Sequence, residues 1–407
     1  MLDGGLFALD FKAVLRPLPG LPAMWAGSQP GGAWKWRHAR ALNHFGGDDM
    51  AQHFSQSKAY RDFTLDDISE MTEQQAWEKF VIIRWGSLTE IPCPECGTLD
   101  RHYVRHQRRQ WRCKHCDRVF SVTTGTPFAN RKLPFKKLLK LMFEFASSPK
   151  GCSANAIHAR HRVTLRTAYH NLSKLREVLF EQTDQTPLSG IVQVDGGHFC
   201  GKPRRPRKRA KVTSTIVNNK LRNRKAGMVP GGKTNIEPWN KEKLKNRRIV
   251  LTLRQLSQAP GKGAERTIAR IIYAEDAKYV IPIIRKYVAL GSLIQSDDSH
   301  AYSSLAAWFE HQTVRHSQEY STDTGVNNNQ AESFFGRMRR AEYGVYHGMR
   351  PQYLAFYACE FAWREDCRRM SLGTKLEDLM MKIFRCGISR AWCGYFQGNR
   401  LGFEYLG

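Results

Sequence analysis

No stretch of this 407-residue sequence approaches the roughly 18 apolar residues that a membrane-spanning helix needs, which disfavours an integral membrane protein. The N-terminus carries Asp3 and Asp10 and no basic run ahead of an apolar core, so a signal peptide is not expected. Acid is scarce. Asp and Glu number 37 against 64 Lys and Arg, a net charge of +27. That imbalance points to a polyanionic partner and electrostatic steering. A disulfide framework is also missing. Of ten cysteines, Cys152, Cys200, Cys359, Cys367, Cys386 and Cys393 are scattered, and the other four have metal spacing. A reducing cytoplasm fits this usage. The length exceeds one typical core and implies two or more domains.

The four remaining cysteines form two Cys-x2-Cys knuckles, Cys93/Cys96 and Cys113/Cys116, separated by 16 residues. That arrangement predicts a tetrahedral thiolate site for one structural Zn²⁺, a zinc ribbon. Residues 103–112 between the knuckles alternate as a strand does. His102, Arg105, Arg108, Arg109 and Arg112 either touch phosphates or form a solvated basic face. On either side of the ribbon the pattern is helical. Residues 64–85 read as a helix capped by Thr64, and residues 135–145 as an apolar helix. Residues 153–159 and 164–180 make a helix pair with Ser153 and Thr164 as N-caps. Arg160, His161, Arg162, Thr164, Arg166 and Thr167 cluster at the start of its second member. A helix-turn-helix would meet DNA bases there, and an ordinary helical hairpin would carry the same pattern.

A different chemistry follows. Residues 191–200 form a β-branched run that reaches a single acid, Asp195, before Gly196 and Gly197. A second apolar run ends on Asp297 and Asp298. A helix then opens near Asn328 and carries Glu332. Two strand-borne carboxylates and one helix-borne carboxylate, brought together, repel one another unless divalent cations lie between them. Two Mg²⁺ ions (or Mn²⁺) in such a site serve phosphoryl displacement. Asp195, Asp297 and Glu332 are the candidate ligands and catalytic acids. Asp298 is the rival for the second position, and only one of two strand neighbours can face Asp195. Its alternative role is to cap the turn that begins at Ser299. Asn328, Glu332 and Arg339 lie near one helical face, which suggests a supporting role for Asn328 and a DNA-backbone contact for Arg339 or its neighbour Arg340. Residues 202–248 hold 17 Lys/Arg and two Glu, a net of +15. This insertion, with Lys202, Arg204 and Arg205 at its start, reads as a phosphate-tracking arm.

These motifs together resemble the bacterial insertion-sequence transposases of the DDE superfamily, in the zinc-ribbon-bearing group with the ISXO-two-like domain. The matching pieces are Val194-Asp195 with Gly201-Lys202, the run from Ser296 to Tyr302, and Asn328, Glu332 and Arg339 followed by Gly344-Val345-Tyr346-His347. The step from Asp297 to Glu332 is 35 positions, as in that family. The family usually has Glu where this chain has Gly196. The resemblance implies an RNase H-like catalytic domain and a role in binding element ends, cutting them and joining them to target DNA. It also implies a homodimer or higher homo-oligomer on double-stranded DNA, in a bacterial cytoplasm, nucleoid-associated. A non-catalytic DNA-binding regulator and an RNase H-like nuclease or resolvase are the competing readings.

The expected architecture is multidomain α+β. Residues 1–49 form an extension, 50–90 a helical segment, 91–122 the ribbon and 130–182 the helix-turn-helix. Residues 188–347 form the mixed α/β catalytic domain with insertion 202–248, and 348–407 a C-terminal helical segment.

Overall fold

A computed structural model describes residues 54–99, 101–200, 246–259, 261–314 and 327–407. The extension over 1–49 and nearly all of the basic insertion, with Lys202, Arg204 and Arg205, lie outside the described residues.

The N-terminal part folds around one apolar cluster. Helices α1 (Leu65–Glu70) and α2 (Glu73–Trp85) replace the single helix expected over 64–85. The break has a local cause. Thr64 and Thr72 each form a capping box, with Asp67 and Gln75 respectively, so the chain starts a helix twice. The ribbon follows as a three-stranded antiparallel sheet of β1 (His102–Arg105), β2 (Gln110–Cys113) and β3 (Val119–Ser121). Trp111 of β2 stacks on Trp77 of α2, with ring centroids 5.5 Å apart. Trp85 meets Trp111 edge-on, and Phe120 stacks on its other side. Helices α3 (Phe135–Ser147), α4 (Ala154–His161) and α5 (Leu165–Glu181) complete this cluster.

The second part is a five-stranded mixed sheet. Its strands are β4 (Ile191–Phe199), β5 (Arg248–Leu256), β6 (Ala264–Ile272), β7 (Leu293–Asp297) and β8 (Glu310–Val314), in the order β6-β5-β4-β7-β8. β4, β5 and β6 form an antiparallel meander, and β7 and β8 run parallel to β4. Helix α6 (Ala277–Tyr287) links β6 to β7 and packs on one face with Val192, Val194, Ile294 and Tyr302. Helices α7 (Asn329–Ala341) and α8 (Leu354–Asp366) cover the other face, where Phe199 and Val250 meet Phe334, Phe335 and Met338. The alternation of β4 decides which residues look which way: even-numbered positions face α6 and odd-numbered ones face α7.

The C-terminal segment returns to both parts. Helix α9 (Leu372–Arg385) enters the N-terminal cluster through Leu376, Leu379, Met380 and Ile383. Trp392 and Tyr395 pack with Tyr353 and Phe356 of the second part. A buried ion network ties the two parts together. Glu360 of α8, fully buried, accepts hydrogen bonds from Arg176 of α5 at 2.7 Å and from Arg364 at 2.7 Å. Burial works against ionisation of Glu360, but the two guanidinium groups outweigh it and hold its carboxyl below the usual range. Removing one partner of such a network strands buried charge. Glu360→Ala is therefore expected to cost about 3–5 kcal/mol in urea unfolding. A loss below about 1 kcal/mol would show that the network is not what holds α5 to α8.

Candidate functional site

The ribbon brings its four cysteines together. The Sγ atoms of Cys93 and Cys116 lie 3.6 Å apart and those of Cys96 and Cys113 lie 3.5 Å apart. All four fall within 4.8 Å of one another. Sulfurs about 2.3 Å from a tetrahedral zinc stand about 3.8 Å apart, so the spacing suits the ion. Hydrogen bonds from Thr98, side chain first and then backbone, bring the Cys96 thiol down to about 5, which favours thiolate at neutral pH. The donor set supports one structural Zn²⁺.

The carboxylate site lies where β4 and β7 end side by side. Val192 pairs with Ile294 and Gln193 with Gln295. Two positions further, Asp195 and Asp297 come level on one face of the sheet. Their carboxylates, with that of Glu275, offer oxygens within 4.8 Å of one another. Asp298 is exposed and stands outside this set. It is not the cap of the next turn either. The Ser299 hydroxyl takes that place, accepting from the Ala301 N–H at 3.4 Å ahead of the 3-10 helix His300–Ala307.

Glu332 sits in the first turn of α7 and is exposed, outside the 4.8 Å set, yet its charge acts on Asp195. What fixes the start of α7 is a residue without any motif signal, the buried Gln193. Its Nε2 donates to Asn327 O at 2.6 Å and its Oε1 accepts from the Gln330 N–H at 3.0 Å. Arg254, also buried, donates to Gln330 O at 2.5 Å. Asn328 is fully buried beside them. Its Nδ2 donates to Val194 O at 3.4 Å, while its Oδ1 has no hydrogen-bond partner among the described residues. Arg339 is exposed two turns along α7, its guanidinium 5.7 Å from the ring centres of Phe199 and Phe335.

Glu275, in the link from β6 to α6, was not expected from the sequence. The apolar run Ile271-Ile272-Tyr273-Ala274 does end on Glu275 and Asp276, a signal of the same kind as the one before Asp297, and Asp276 beside it stands at the N-cap of α6. Only the fold brings it to the site. Among the described residues no salt bridge reaches Asp195 or Glu275. Burial, first, pushes the Asp195 carboxyl from 3.8 up to about 7. The Gly196 N–H, donated at 2.7 Å, pulls against this, and the charges of Asp297, Glu275 and Glu332 add to the rise. Crowded hard oxygens suit a divalent cation such as Mg²⁺.

Of the proposed DNA-facing residues, Thr164 caps α5 by accepting from the Thr167 N–H at 3.1 Å, and the two threonine hydroxyls lie 2.8 Å apart. Arg160 donates to Glu144 at 2.7 Å but remains largely exposed. Arg166 is exposed and its guanidinium lies 4.5 Å from the Phe396 ring centre.

A metal-suited cluster of acids on a mixed sheet thus shares the chain with a four-thiolate ribbon. Comparison with protein families makes this specific. Residues 187–366 match the ISXO2-like transposase domain, and residues 71–119 match the transposase zinc-ribbon domain. No curated protein and no solved structure matches the chain. Both matches support an insertion-sequence transposase. Among the described residues no helix is long and apolar enough to cross a membrane.

Two measurements follow. Metal analysis of the purified chain should find one zinc, and Cys96→Ser should lose it and red-shift the emission of Trp77, Trp85 and Trp111 as the ribbon loosens. Zinc-free wild-type protein prepared without chelator would contradict this. The second concerns pH. Because the folded-state pKa of Asp195 lies above the unfolded value of 3.8, its ionisation destabilises the metal-free fold as pH rises from about 4 through about 7. Asp195→Asn should therefore stabilise metal-free protein at pH 8 by a few kcal/mol, at about 1.4 kcal/mol per pKa unit, with the gain fading as pH falls toward 4. A gain independent of pH would contradict the assignment.

Proposed function

We propose that this chain binds the ends of its insertion sequence and catalyses metal-dependent strand cleavage and strand transfer into target DNA. The observation that carries the reading is the convergence of Asp195 and Asp297 at the ends of adjacent parallel strands, with Glu332 opening the helix packed over them. The strand order, an antiparallel meander continued by two parallel strands, supports an RNase H-like catalytic domain.

Asp195, Asp297 and Glu332 would hold two Mg²⁺ ions. Bound there, the metals would supply activation of water and stabilisation of the attacking and leaving oxygens. The chain's own residues do the positioning. Gln193 and Arg254 fix the first turn of α7, and with it the height of Glu332 above the sheet. Asn328 buttresses the same turn through Val194. Arg339, on the same side of α7 as Glu332 and two turns further on, neutralises a DNA phosphate next to the cut bond. Placement of the scissile phosphate against fixed charges accounts for the catalysis, and no covalent protein–DNA intermediate is needed.

DNA is gripped outside this centre. The net charge of +27 supplies the salt-dependent affinity, with Lys202, Arg204, Arg205 and the rest of the basic insertion tracking phosphates. Helices α4 and α5 act as a helix-turn-helix. Arg160, Arg166 and Thr167 face the element ends, and Thr164 presents its helix start. Two ends must be held at once, so a homodimer or higher homo-oligomer on DNA is the working form.

The test is Mg²⁺-dependent cutting of a labelled element end. Asp297→Asn should abolish cleavage and strand transfer, a loss of at least about a thousandfold, while end binding stays near normal. Asp298→Asn should remain active. Full activity in Asp297→Asn would overturn the ligand assignment. Arg166→Ala should reduce preference for the element's own ends without changing the salt slope of binding.

A further inference from the structure

We propose that Glu275 is a fourth carboxylate of the metal centre, and that residue 196 is glycine to admit it. The inference rests on the metal-dependent reading of this same site and adds a ligand to it.

Glu275 reaches the site from the face of the sheet opposite Glu332. Gly196 is an even-numbered position of β4 and looks toward α6, whereas Asp195 and Gly197 look toward α7. Gly197 marks that second face plainly: a Cβ there would run into the Phe335 ring. A Cβ on Gly196 would instead lie 2.5 Å from the Glu275 carboxyl carbon and 2.6 Å from each of its oxygens. No side chain can share that space with Glu275. The backbone at Gly196 does not need glycine, because the residue sits in a regular strand, paired with Leu251, and its φ lies outside the left-handed region. Glycine inside a strand is unfavourable by conformational entropy and by lost packing. Here it makes room for an acid. Its N–H serves the neighbouring acid as well, through the 2.7 Å bond to Asp195 Oδ1.

The Glu275 carboxylate is also held in a fixed orientation. The hydroxyl of Tyr302, a wholly buried side chain, donates to its Oε1 at 2.7 Å. A tyrosine anchors a carboxylate without cancelling its charge. Among the described residues no Lys or Arg forms a salt bridge with Glu275, and the charges it faces are those of Asp195 and Asp297. An acid fixed by a neutral donor, aimed at two further acids and admitted by a glycine, is an arrangement suited to ligating a cation. Glu275, Asp195 and Asp297 then form one set, and Glu332 adds its charge from α7.

The experiment titrates Mn²⁺ alone, without DNA, into the zinc-loaded full-length chain and its variants by isothermal calorimetry. Circular dichroism melts accompany each titration. Glu275→Gln keeps the shape and removes the charge. It should weaken Mn²⁺ affinity about tenfold or more with an unchanged fold. Gly196→Ala should weaken it to a similar extent by displacing Glu275. The double variant should be no worse than either single one, because both changes remove the same ligand. Wild-type affinity in Glu275→Gln, with affinity lost in Asp195→Asn and Asp297→Asn, would overturn the role of Glu275 and leave the centre standing. Wild-type affinity in all three would overturn the metal centre itself. Should Gly196→Ala fail to fold, Glu275→Gln decides alone.

Discussion

Mutual repulsion among carboxylates is the constraint on which the site depends. Asp195, Asp297 and Glu275 hold their oxygens within 4.8 Å of one another, and Glu332 adds its charge from α7. Like charges at that range, partly withdrawn from water, do not stay together without a reason. The surrounding fold holds them there. Parallel pairing of β4 with β7 levels the two aspartates, and the antiparallel turn back through β5 and β6 delivers Glu275 at the same end of the sheet. Gln193 and Arg254 hold α7 at its first turn. In the metal-free protein the Asp195 carboxyl is pushed up to about 7, chiefly by burial, and the neighbouring carboxylates add to the rise.

A site of this kind needs rigid support, and the rest of the chain supplies it. The ribbon is too small to fold alone and is fastened twice, by its cysteines and by the Trp111 stack on Trp77. The ion network of Arg176, Glu360 and Arg364 locks α5 to α8. Helix α9 then crosses back into the N-terminal cluster. The N-terminal helices and the sheet are thus joined by buried contacts rather than by a bare linker.

Much of this is legible in the sequence, for identifiable reasons. The zinc ligands are legible because two knuckles at fixed spacing encode one tetrahedron. The pairing of Asp195 with Asp297 follows from apolar runs that end on acid, and the caps Ser153 and Thr164 from local hydrogen-bond chemistry. Other features are set by tertiary geometry. Glu275 ends the apolar run Ile271–Ala274, but it lies 79 positions from Gly196, and only the folded sheet shows that this run returns to Asp195. Gln193 looks like an ordinary polar interruption of a strand until α7 is placed over it. The second cap at Thr72, which splits the first helix, is written in the sequence as Thr-x-x-Gln but is hidden inside a continuous helical pattern. Ser299 similarly takes the turn-capping role that the adjacent acid, Asp298, suggests.

The central claim is that these acids form one divalent-metal centre. Anomalous diffraction from crystals of the full chain soaked in Mn²⁺ tests it most directly. The account predicts manganese density between Asp195 and Asp297, with an oxygen of Glu275 among the ligands. Crystals saturated with Mn²⁺ that place no density between those two aspartates would contradict it.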